Sequence, residues 1–454
     1  MKFTIYDFPA FATLRCGRRF TICSLVLAAG ISIASGQTPD TNSLPIDLAT
    51  TLRLVGARNL DIKIAQENLN EAMAAHQSAV EQFFPWVAPG ITYHRRDGVA
   101  QASPSGIISD ASYQSYSPGV TAVAKLDLGN AIYSSLAANQ LVKASDQALD
   151  SQRQDATLTA AQTYFDLVKA RALVGVVSEA VKISRDYQQQ LHDAVAAGIA
   201  FKGDELRVQT QTGHYQIALQ QALEQQRVAA VSLARVLHLD SKVDLAPLDA
   251  GLVSLTLSPT NASMDALVAQ AMNNRPELKQ SQALSAAAHA GKNGAVYGPL
   301  IPSLGAQVFG GGLGGGPVGS SGTFDGMADY IVGLSWQIGP GGLFDSGRIK
   351  AGKARLAAAQ LAESKVKDVI TSQVVDAFVA VNSTAAQIQL AARNLDIASE
   401  TLQLTHQRKQ YGVGLVLEDI QAQQALTQAR SDYVAAVAEF NKAQYALSRA
   451  IGGL

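Results

Sequence analysis

Cysteine is almost absent from this sequence. Its two copies, Cys16 and Cys23, both lie in the first 36 residues, so a chain that loses this segment has no disulfide, thiolate nucleophile or Cys-ligated metal. A lipid anchor on Cys23 is disfavoured because the preceding Phe20-Thr21-Ile22 lacks the usual small residue. The missing thiols exclude the chemistry that depends on them.

Charge is also scarce. Only 16% of residues are charged and the formal net charge is -1, against roughly 25% charged residues in typical soluble domains. No strong field therefore favours binding to nucleic acid or to an anionic membrane surface. The composition instead suits long, closely packed helices with mildly polar outer faces.

Catalytic and cofactor motifs are missing too. The seven histidines are scattered without an HExxH spacing, and no GxSxG precedes a plausible triad. Gly310, Gly312 and Gly315 spell GxGxxG, but the continuation from Pro317 to Gly322 breaks helices instead of starting one. We expect no enzyme, no cofactor and no metal site, and we predict that Gly310–Gly322 is a loop between two strands.

The first 36 residues predict a cleaved export signal. Arg15, Arg18 and Arg19 precede an apolar run at 22–29 and a small-residue segment that ends at Gly36. The apolar run is too short to span a membrane. The protein is therefore expected outside the cytoplasm.

The remaining chain repeats itself once. Phe84-Pro85, where a predicted helix ends before a strand, corresponds to Ile301-Pro302, and a turn at Gly198 corresponds to one at Gly412. We divide the chain into a first repeat at 37–250 and a second at 251–454. Each unit of roughly two hundred residues is far longer than a solenoid repeat.

Long helices dominate each repeat. Helical patterns run from about 131 to 197 and from 343 to 410, with shorter ones at 45–84, 203–238, 265–296 and 418–450. At 1.5 Å per residue the long helices would extend on the order of 100 Å. Alternating four- and three-residue spacing predicts a coiled-coil seam near the C-terminus, formed by Ala422, Leu426, Ala429, Tyr433, Ala436, Phe440, Ala443 and Leu447.

Two pairs of strands interrupt the helices. They are predicted at about 87–97 and 117–128, and at about 303–312 and 326–338. The last alternates apolar with small or polar residues, which favours a membrane β-strand over packing in a soluble sheet, the alternative. The expected membrane-interface aromatics are Trp86, Trp336, Tyr330 and Phe309.

Four strands cannot close a barrel, and an open edge leaves backbone groups unpaired in lipid. Other copies of the chain must complete it. Two copies would give eight strands and a filled interior, whereas three would give twelve and an open lumen. An oligomer is predicted, and a trimer is the smallest that leaves a pore.

Taken together, the chain resembles the TolC-type outer-membrane efflux channels. The duplicated unit, the two proline exits, the segment Gly342–Ala359 and the turns at Gly198 and Gly412 carry this resemblance. It implies a mainly α-helical fold with long coiled-coil helices and four strands per chain, completing a twelve-stranded barrel in a homotrimer. It also implies outer-membrane lipid around the barrel, helices in the periplasm, a periplasmic adaptor protein and an inner-membrane pump.

The same resemblance implies a constriction at the periplasmic end. Glu418 occupies the position of a gating acid, with Asp419 beside it and Asp204 and Glu205 in the matching first-repeat turn. Gln421 replaces a second acid of the family's best-known member, which leaves one acidic ring. The alternative is that these acids only stabilise helix N-termini.

A periplasmic coiled-coil adaptor or scaffold is the rival interpretation, because its helical hairpin would share the heptads. It predicts one hairpin and a compact β-domain, and it does not explain two strand pairs in equivalent positions.

Overall fold

The computed structural model describes residues 43–101, 106–110, 112–240, 242–249, 251–257, 263–320, 322–411 and 414–454. The predicted export signal, both cysteines and Gly412 lie outside these residues. The described chain is mainly helical, and its helices and strands follow the same order in both halves. In the first half they are β1 (Ser43–Ile46), α1 (Leu48–Arg58), α2 (Leu60–Glu81), β2 (Trp86–Arg96), β3 (Val99–Gln101), β4 (Ile108–Asp110), β5 (Tyr113–Asp127), α3 (Leu128–Ala196), α4 (Lys202–Val236) and β6 (Asp244–Pro247).

The second half repeats the pattern without the small strands. Its elements are α5 (Met264–Asn274), α6 (Pro276–Tyr297), a 3₁₀ turn (Gly298–Leu300), β7 (Ser303–Pro317), β8 (Thr323–Ser335), α7 (Ser346–Gln410) and α8 (Val416–Ala450). The mainly helical, duplicated fold is thus confirmed. The 69 residues of α3 correspond to a length of about 100 Å.

Two predicted helices are interrupted. The predicted helix at 45–84 is divided at Asn59, whose side chain accepts hydrogen bonds from the backbone N–H groups of Asp61 and Ile62 at 2.8 and 3.1 Å. The predicted helix at 265–296 is divided between Arg275 and Pro276, because proline cannot supply an interior hydrogen bond but is well placed at a helix start. Both predictions of a continuous helix were wrong.

The large sheet has the strand order β2-β5-β7-β8, and every neighbouring pair is antiparallel. It contains the four predicted strands, although β5, β7 and β8 extend further from the helices than expected and β8 ends at Ser335 instead of at 338. A two-stranded parallel sheet of β1 and β6, and the hairpin of β3 and β4, were not predicted.

The glycine-rich segment is a strand and not the predicted loop. β7 continues through the glycines to Pro317, so the connection to β8 begins only at Val318. Gly312 and Gly314 are in register with Gly326 and Phe324 of β8. The connection is therefore a short turn at the end of a long hairpin.

Alanine-lined seams hold the helices together. Seven of the eight predicted seam positions of α8 are buried and Tyr433 is half-buried. The two largest buried clusters among the described residues lie in equivalent places, one mainly among α1, α3, α4 and β6 and the other among α5, α6, α7 and α8. Tyr164 and Leu233 are fully buried in the first cluster, and Ile370 and Val374 are almost fully buried in the second.

A buried ion network joins the second-half helices to α3. The Arg449 side chain is almost fully buried and contacts Glu277, and its Nε lies 2.8 Å from Asp155 Oδ1. Arg275 Nε reaches the same Glu277 at 2.8 Å. Burial alone would raise the pKa of Glu277, but hydrogen bonds from Arg449 and Arg275 outweigh it and lower the pKa to about 2. The cluster links α3, α6 and α8.

Candidate functional site

The four predicted constriction acids lie at the first turns of two equivalent helices. Asp204 and Glu205 follow the start of α4 at Lys202, and Glu418 and Asp419 follow the start of α8 at Val416. Each helix follows the turn of a long hairpin, α3–α4 or α7–α8. The acids therefore lie at the ends of the hairpins that are farthest from the sheet.

One acid of each pair points into the protein. Glu205 is buried, with His192 Nδ1 at 3.0 Å and Lys202 Nζ at 2.7 Å. Hydrogen bonds from Lys202 and then from His192 lower the pKa of Glu205. Asp419 is buried in the equivalent place, with His406 Nε2 at 3.0 Å. A histidine–carboxylate contact thus occurs once in each repeat.

The other acid of each pair is half-buried and lies beside an arginine. Asp204 Oδ1 accepts a hydrogen bond from Arg207 Nη1 at 3.0 Å. Glu418 Oε2 lies 3.2 Å from Arg408 Nη1 without hydrogen-bond geometry. Glu418 is therefore the less firmly held of the two half-buried acids.

The two hairpins meet around a cavity of about 470 Å³. Its lining includes Tyr187 of α3, Tyr215 of α4, His406 and Lys409 of α7 and Asp419 of α8. Lys409 Nζ lies 3.6 Å from the centre of the Tyr187 ring, which is a cation–π contact between hairpins. Burial raises the pKa of Tyr187, and the nearby Asp419 and Asp204 raise it further.

Sequence reasoning missed these partners. His192 and His406 were considered singly and appeared scattered, although each lies thirteen positions before its carboxylate partner. Aligning the two repeats would have found the matched spacing. Among the described residues no cluster of three His, Cys, Asp or Glu side chains could hold a metal ion.

The large sheet has two chemically different faces. Residues directly opposite each other in antiparallel strands point to the same face, so the strand registers assign every side chain. We call one side the apolar face; from the helix end to the row of Tyr93, Tyr116 and Phe324 it carries no charged residue. Its members are Val87, Pro89, Ile91, Tyr93, Tyr116, Pro118, Val120, Ala122, Ala124, Leu126, Leu304, Ala306, Val308, Gly310, Gly312, Gly314, Phe324, Gly326, Ala328, Tyr330, Val332 and Leu334.

The opposite side, the polar face, is mixed and charged. It includes Thr92, Lys125, Gln307 and Asp329. The alternation predicted for one strand therefore extends across all four.

The predicted interface aromatics do not share one face. Tyr330 lies on the apolar face and is 72% exposed. Trp336, just past the end of β8, is exposed, and its Nε1 donates a hydrogen bond to the Leu300 carbonyl at 3.3 Å. The register instead places Phe309 and Trp86 on the polar face. The assignment of these four aromatics to a membrane interface stays a prediction, although they do not form one row on one face of the sheet.

Aromatic rings cover the glycines of β7. A Cβ on Gly314 would lie 2.5 Å from the Tyr116 ring, and a Cβ on Gly312 would overlap the Phe324 ring. On the polar face the Phe309 ring lies over Gly119 in the same way. Gly312 and Gly314 thus leave room for rings from both neighbouring strands. Tyr116 and Phe324 were missed because glycine content alone predicts a turn.

Comparison with known proteins assigns the family. A sequence model described as outer membrane efflux protein matches residues 51–237 and 267–453, one segment in each repeat. The chain belongs to the outer membrane efflux protein family. Membership of this family locates the protein in the outer membrane and gives it a role in efflux. The periplasmic adaptor alternative is not supported.

Solved structures show the same fold for this family member. The outer-membrane channel OprN superposes with a TM-score of 0.75 at 19% identity, covering 90% of each chain. The CmeC outer membrane channel of Campylobacter jejuni gives 0.74 at 17% identity over 89% of this chain and 85% of that one. The open-state MtrE outer membrane channel of Neisseria gonorrhoeae gives 0.72 at 19% identity over 89% of both. No curated protein sequence matched the chain.

One of the long helices is apolar over part of its length. By length and composition alone, Ser346–Lys409 is the one helix of the described ranges that could cross a membrane. It packs against its hairpin partner instead: Ala398 is buried with Leu426 and Ala429 of α8. The apolar face of the sheet is the better match to lipid.

Proposed function

We propose that this protein is the exit duct of a tripartite efflux or type I secretion system. Three copies form a twelve-stranded barrel with the apolar face toward lipid and the polar face toward a lumen. The observation that carries this proposal is the four-stranded sheet, whose outer strands β2 and β8 have open edges in the part of the chain that the structure describes. Such edges are not tolerated in lipid, so further copies must pair with them.

The dimensions of the apolar face support a membrane role. It spans ten residue-to-residue steps, from the row of Leu126, Leu304 and Leu334 to the row of Tyr116 and Phe324. At about 3.4 Å per residue and a tilt of roughly 40°, this corresponds to a band of about 26 Å. Outer-membrane barrels have apolar bands of about 25 Å with aromatic girdles. Tyr93, Tyr116 and Phe324 form the outer girdle, and Trp336 lies at the helix end.

The helices form the periplasmic part of the duct. α3 and α7 begin at the sheet and extend about 100 Å away from it, far enough to bring the hairpin ends deep into the periplasm. There they meet a periplasmic adaptor protein and, through it, an inner-membrane pump. The duct itself holds no cofactor and carries out no chemistry.

The hairpin ends form the constriction. Glu418 is the acid that three copies present to the axis, because it is half-buried and only loosely contacted by Arg408. Asp204 contributes at the equivalent first-repeat turn. Asp419 and Glu205, both buried against histidines, hold the hairpins in shape around this ring. A ring of carboxylates favours cations over anions.

The assembly tests the proposal most simply. The protein is extracted from outer membranes in mild detergent, and its mass is measured by light scattering before and after heating in SDS. A trimer that dissociates only on heating supports the duct. A stable monomer with full β-content would refute it, because open strand edges would then be tolerated.

A further inference from the structure

The outer strands of the sheet carry basic and acidic side chains that have no ion-pair partner among the described residues. On the polar face, β2 presents Arg96 and His94 near its far end, and β8 presents Asp325 and Asp329. None of the four makes an ion pair with any side chain in the described part of the chain. β7, which lies between β5 and β8, has no charged residue at all. The basic groups thus lie at one open edge and the acidic groups at the other.

Arg95, next to Arg96, does form an ion pair within its own chain. Arg95 points to the other face, and its Nε lies 2.8 Å from Asp97 Oδ2. That ion pair is complete within one chain. Arg96 has no such partner among the described residues, although it is also exposed to solvent.

We propose that β8 of one copy pairs with β2 of the next so that Asp325 lies directly opposite Arg96. This interface between copies rests on the proposed trimeric barrel and specifies its register. The antiparallel pairing then brings the charged ends of both strands together at the outer end of the lumen. Opposite charges in directly opposed positions stabilise a strand pair, whereas like charges destabilise it.

Strand length supports this register. With Arg96 opposite Asp325, Trp86 lies opposite Ser335, the last residue of β8. All eleven residues of β2 then have partners within β8. This register is shifted by four residues from the one in which Phe324 would lie opposite Tyr93 of the next copy. A four-residue shift in the opposite direction would leave about half of β2 unpaired.

Barrel geometry supports it independently. Within one chain, a line perpendicular to the strands runs from Tyr93 through Tyr116 and Gly314 to Phe324. In the proposed register Phe324 lies opposite Asp97 of the next copy, four positions from Tyr93. Each of the three interfaces between copies adds this offset of four residues. Around twelve strands the sum corresponds to a strand tilt of about 35° from the barrel axis, with ~3.3 Å per residue and ~4.7 Å between strands. Closed barrels typically tilt by about 35–45°.

The neighbouring registers fit less well. Because faces must match, the register changes in steps of two residues. Placing His94 opposite Asp325 lowers the tilt to about 19°, below the range for closed barrels. Placing His94 opposite Asp329 moves the first residues of β2 past the end of β8.

Cysteine cross-linking measures the register directly. Both natural cysteines lie in the predicted export signal, so introduced thiols have no background. The double variant Arg96→Cys with Asp325→Cys is compared with His94→Cys/Asp325→Cys and with Arg96→Cys/Met327→Cys. Each is oxidised with copper phenanthroline in membranes and run on non-reducing SDS gels.

The proposal predicts a ladder to covalent trimer that forms several-fold faster for the first pair than for either shifted pair. Faster linkage of a shifted pair would overturn the register. A trimer by light scattering that none of the three pairs cross-links would overturn it too, while leaving the duct intact. A monomeric unmodified protein would instead refute the proposed function.

Charge reversal tests the ion pair itself. Arg96→Asp is expected to lower the temperature at which the trimer dissociates in SDS by several degrees, and adding Asp325→Arg should restore it. Arg95→Asp is the matched control, because its partner Asp97 lies in the same chain, and it should change this temperature less. Failure of the double variant to recover would contradict the contact.

Discussion

Tyr116 and Phe324 stack across the glycine strand that separates them, with ring centroids 5.9 Å apart and ring planes 10° apart. The first residue belongs to β5 and the second to β8, and both face away from the lumen of the proposed barrel. β7 supplies no side chain between them at Gly314. Rings from neighbouring strands thus replace the packing that glycine lacks, and they form the outer edge of the apolar face.

Replacing Gly314 by valine tests this arrangement. The new side chain would overlap the Tyr116 ring, and such overpacking typically costs about 1–3 kcal/mol. We expect a lower dissociation temperature of the trimer in SDS. Gly310→Val is the matched control on the same strand and face, because a Cβ there meets nothing within 4 Å. Equal effects of both substitutions would show that the rings need no space at Gly314.

The sequence predicted the strands but not this use of glycine. Alternating residues around Tyr330 are visible in one strand by itself, so β8 could be predicted. A run of glycines has little strand propensity of its own, and what makes it a strand lies in β5 and β8. The division of a helix at Asn59 was missed for a similar reason, since neither its non-helical backbone (ψ 126°) nor its cap hydrogen bonds are visible in the residue pattern.

The candidate site was predicted only in outline. The repeat alignment placed Asp204 and Glu418 in equivalent turns, and the structure places both at helix starts. The contacts of His192 with Glu205 and of His406 with Asp419 cross the turn of each hairpin. They depend on how the two helices of a hairpin lie against each other, which single-residue patterns do not report.

The buried cluster around Glu277 predicts a specific loss of stability in acid. Its folded-state pKa of about 2 is below the ordinary value of 4.5, so its contribution is fully present above about pH 4.5 and disappears as the pH falls toward 2. The shift corresponds to about 3 kcal/mol. We expect Glu277→Gln to flatten this part of the pH dependence of unfolding, measured by circular dichroism in detergent. If the free energy of unfolding of Glu277→Gln falls with acid as steeply as that of the unmodified protein, the cluster does not stabilise the fold as described.

Removing the arginine of this cluster should cost more. Arg449→Leu leaves the carboxylate of Glu277 without its main partner, and breaking a buried ion pair typically costs about 3–5 kcal/mol. Thermal unfolding should show the loss. The control Arg153→Leu removes an exposed pair with Asp150, whose side chains are 54% and 45% exposed, and should cost less than about 1 kcal/mol. Similar losses for both would contradict the cluster's importance.

The constriction predicts a change in ion selectivity. Glu418→Gln removes one charge per copy at nearly constant volume and should lower the cation-to-anion permeability ratio several-fold, measured as the reversal potential in a KCl gradient. Asp419→Asn should leave this ratio nearly unchanged, because Asp419 is buried beside His406, and should instead loosen the hairpin. If Asp419→Asn shifts the reversal potential and Glu418→Gln does not, the assignment of the axial acid is wrong.

The turn between β7 and β8 predicts a surface-exposed site. The strand continues to Pro317, so an epitope tag belongs after Gly319 and not within the glycine run. Antibody should bind intact cells that express this insertion, since loop insertions cost little closure entropy. The same tag after Gly310 lies inside the strand and should abolish assembly. Labelling of the Gly319 insertion only after permeabilisation would place this turn on the periplasmic side.

Conductance in planar lipid bilayers tests the central claim most directly. Three copies that close one barrel around the polar face should produce uniform single-channel steps from purified trimer. These steps should favour cations, and Glu418→Gln should weaken that preference. A folded, trimeric protein that inserts into the bilayer and never conducts, even with Glu418 and Asp204 both replaced, would contradict the account.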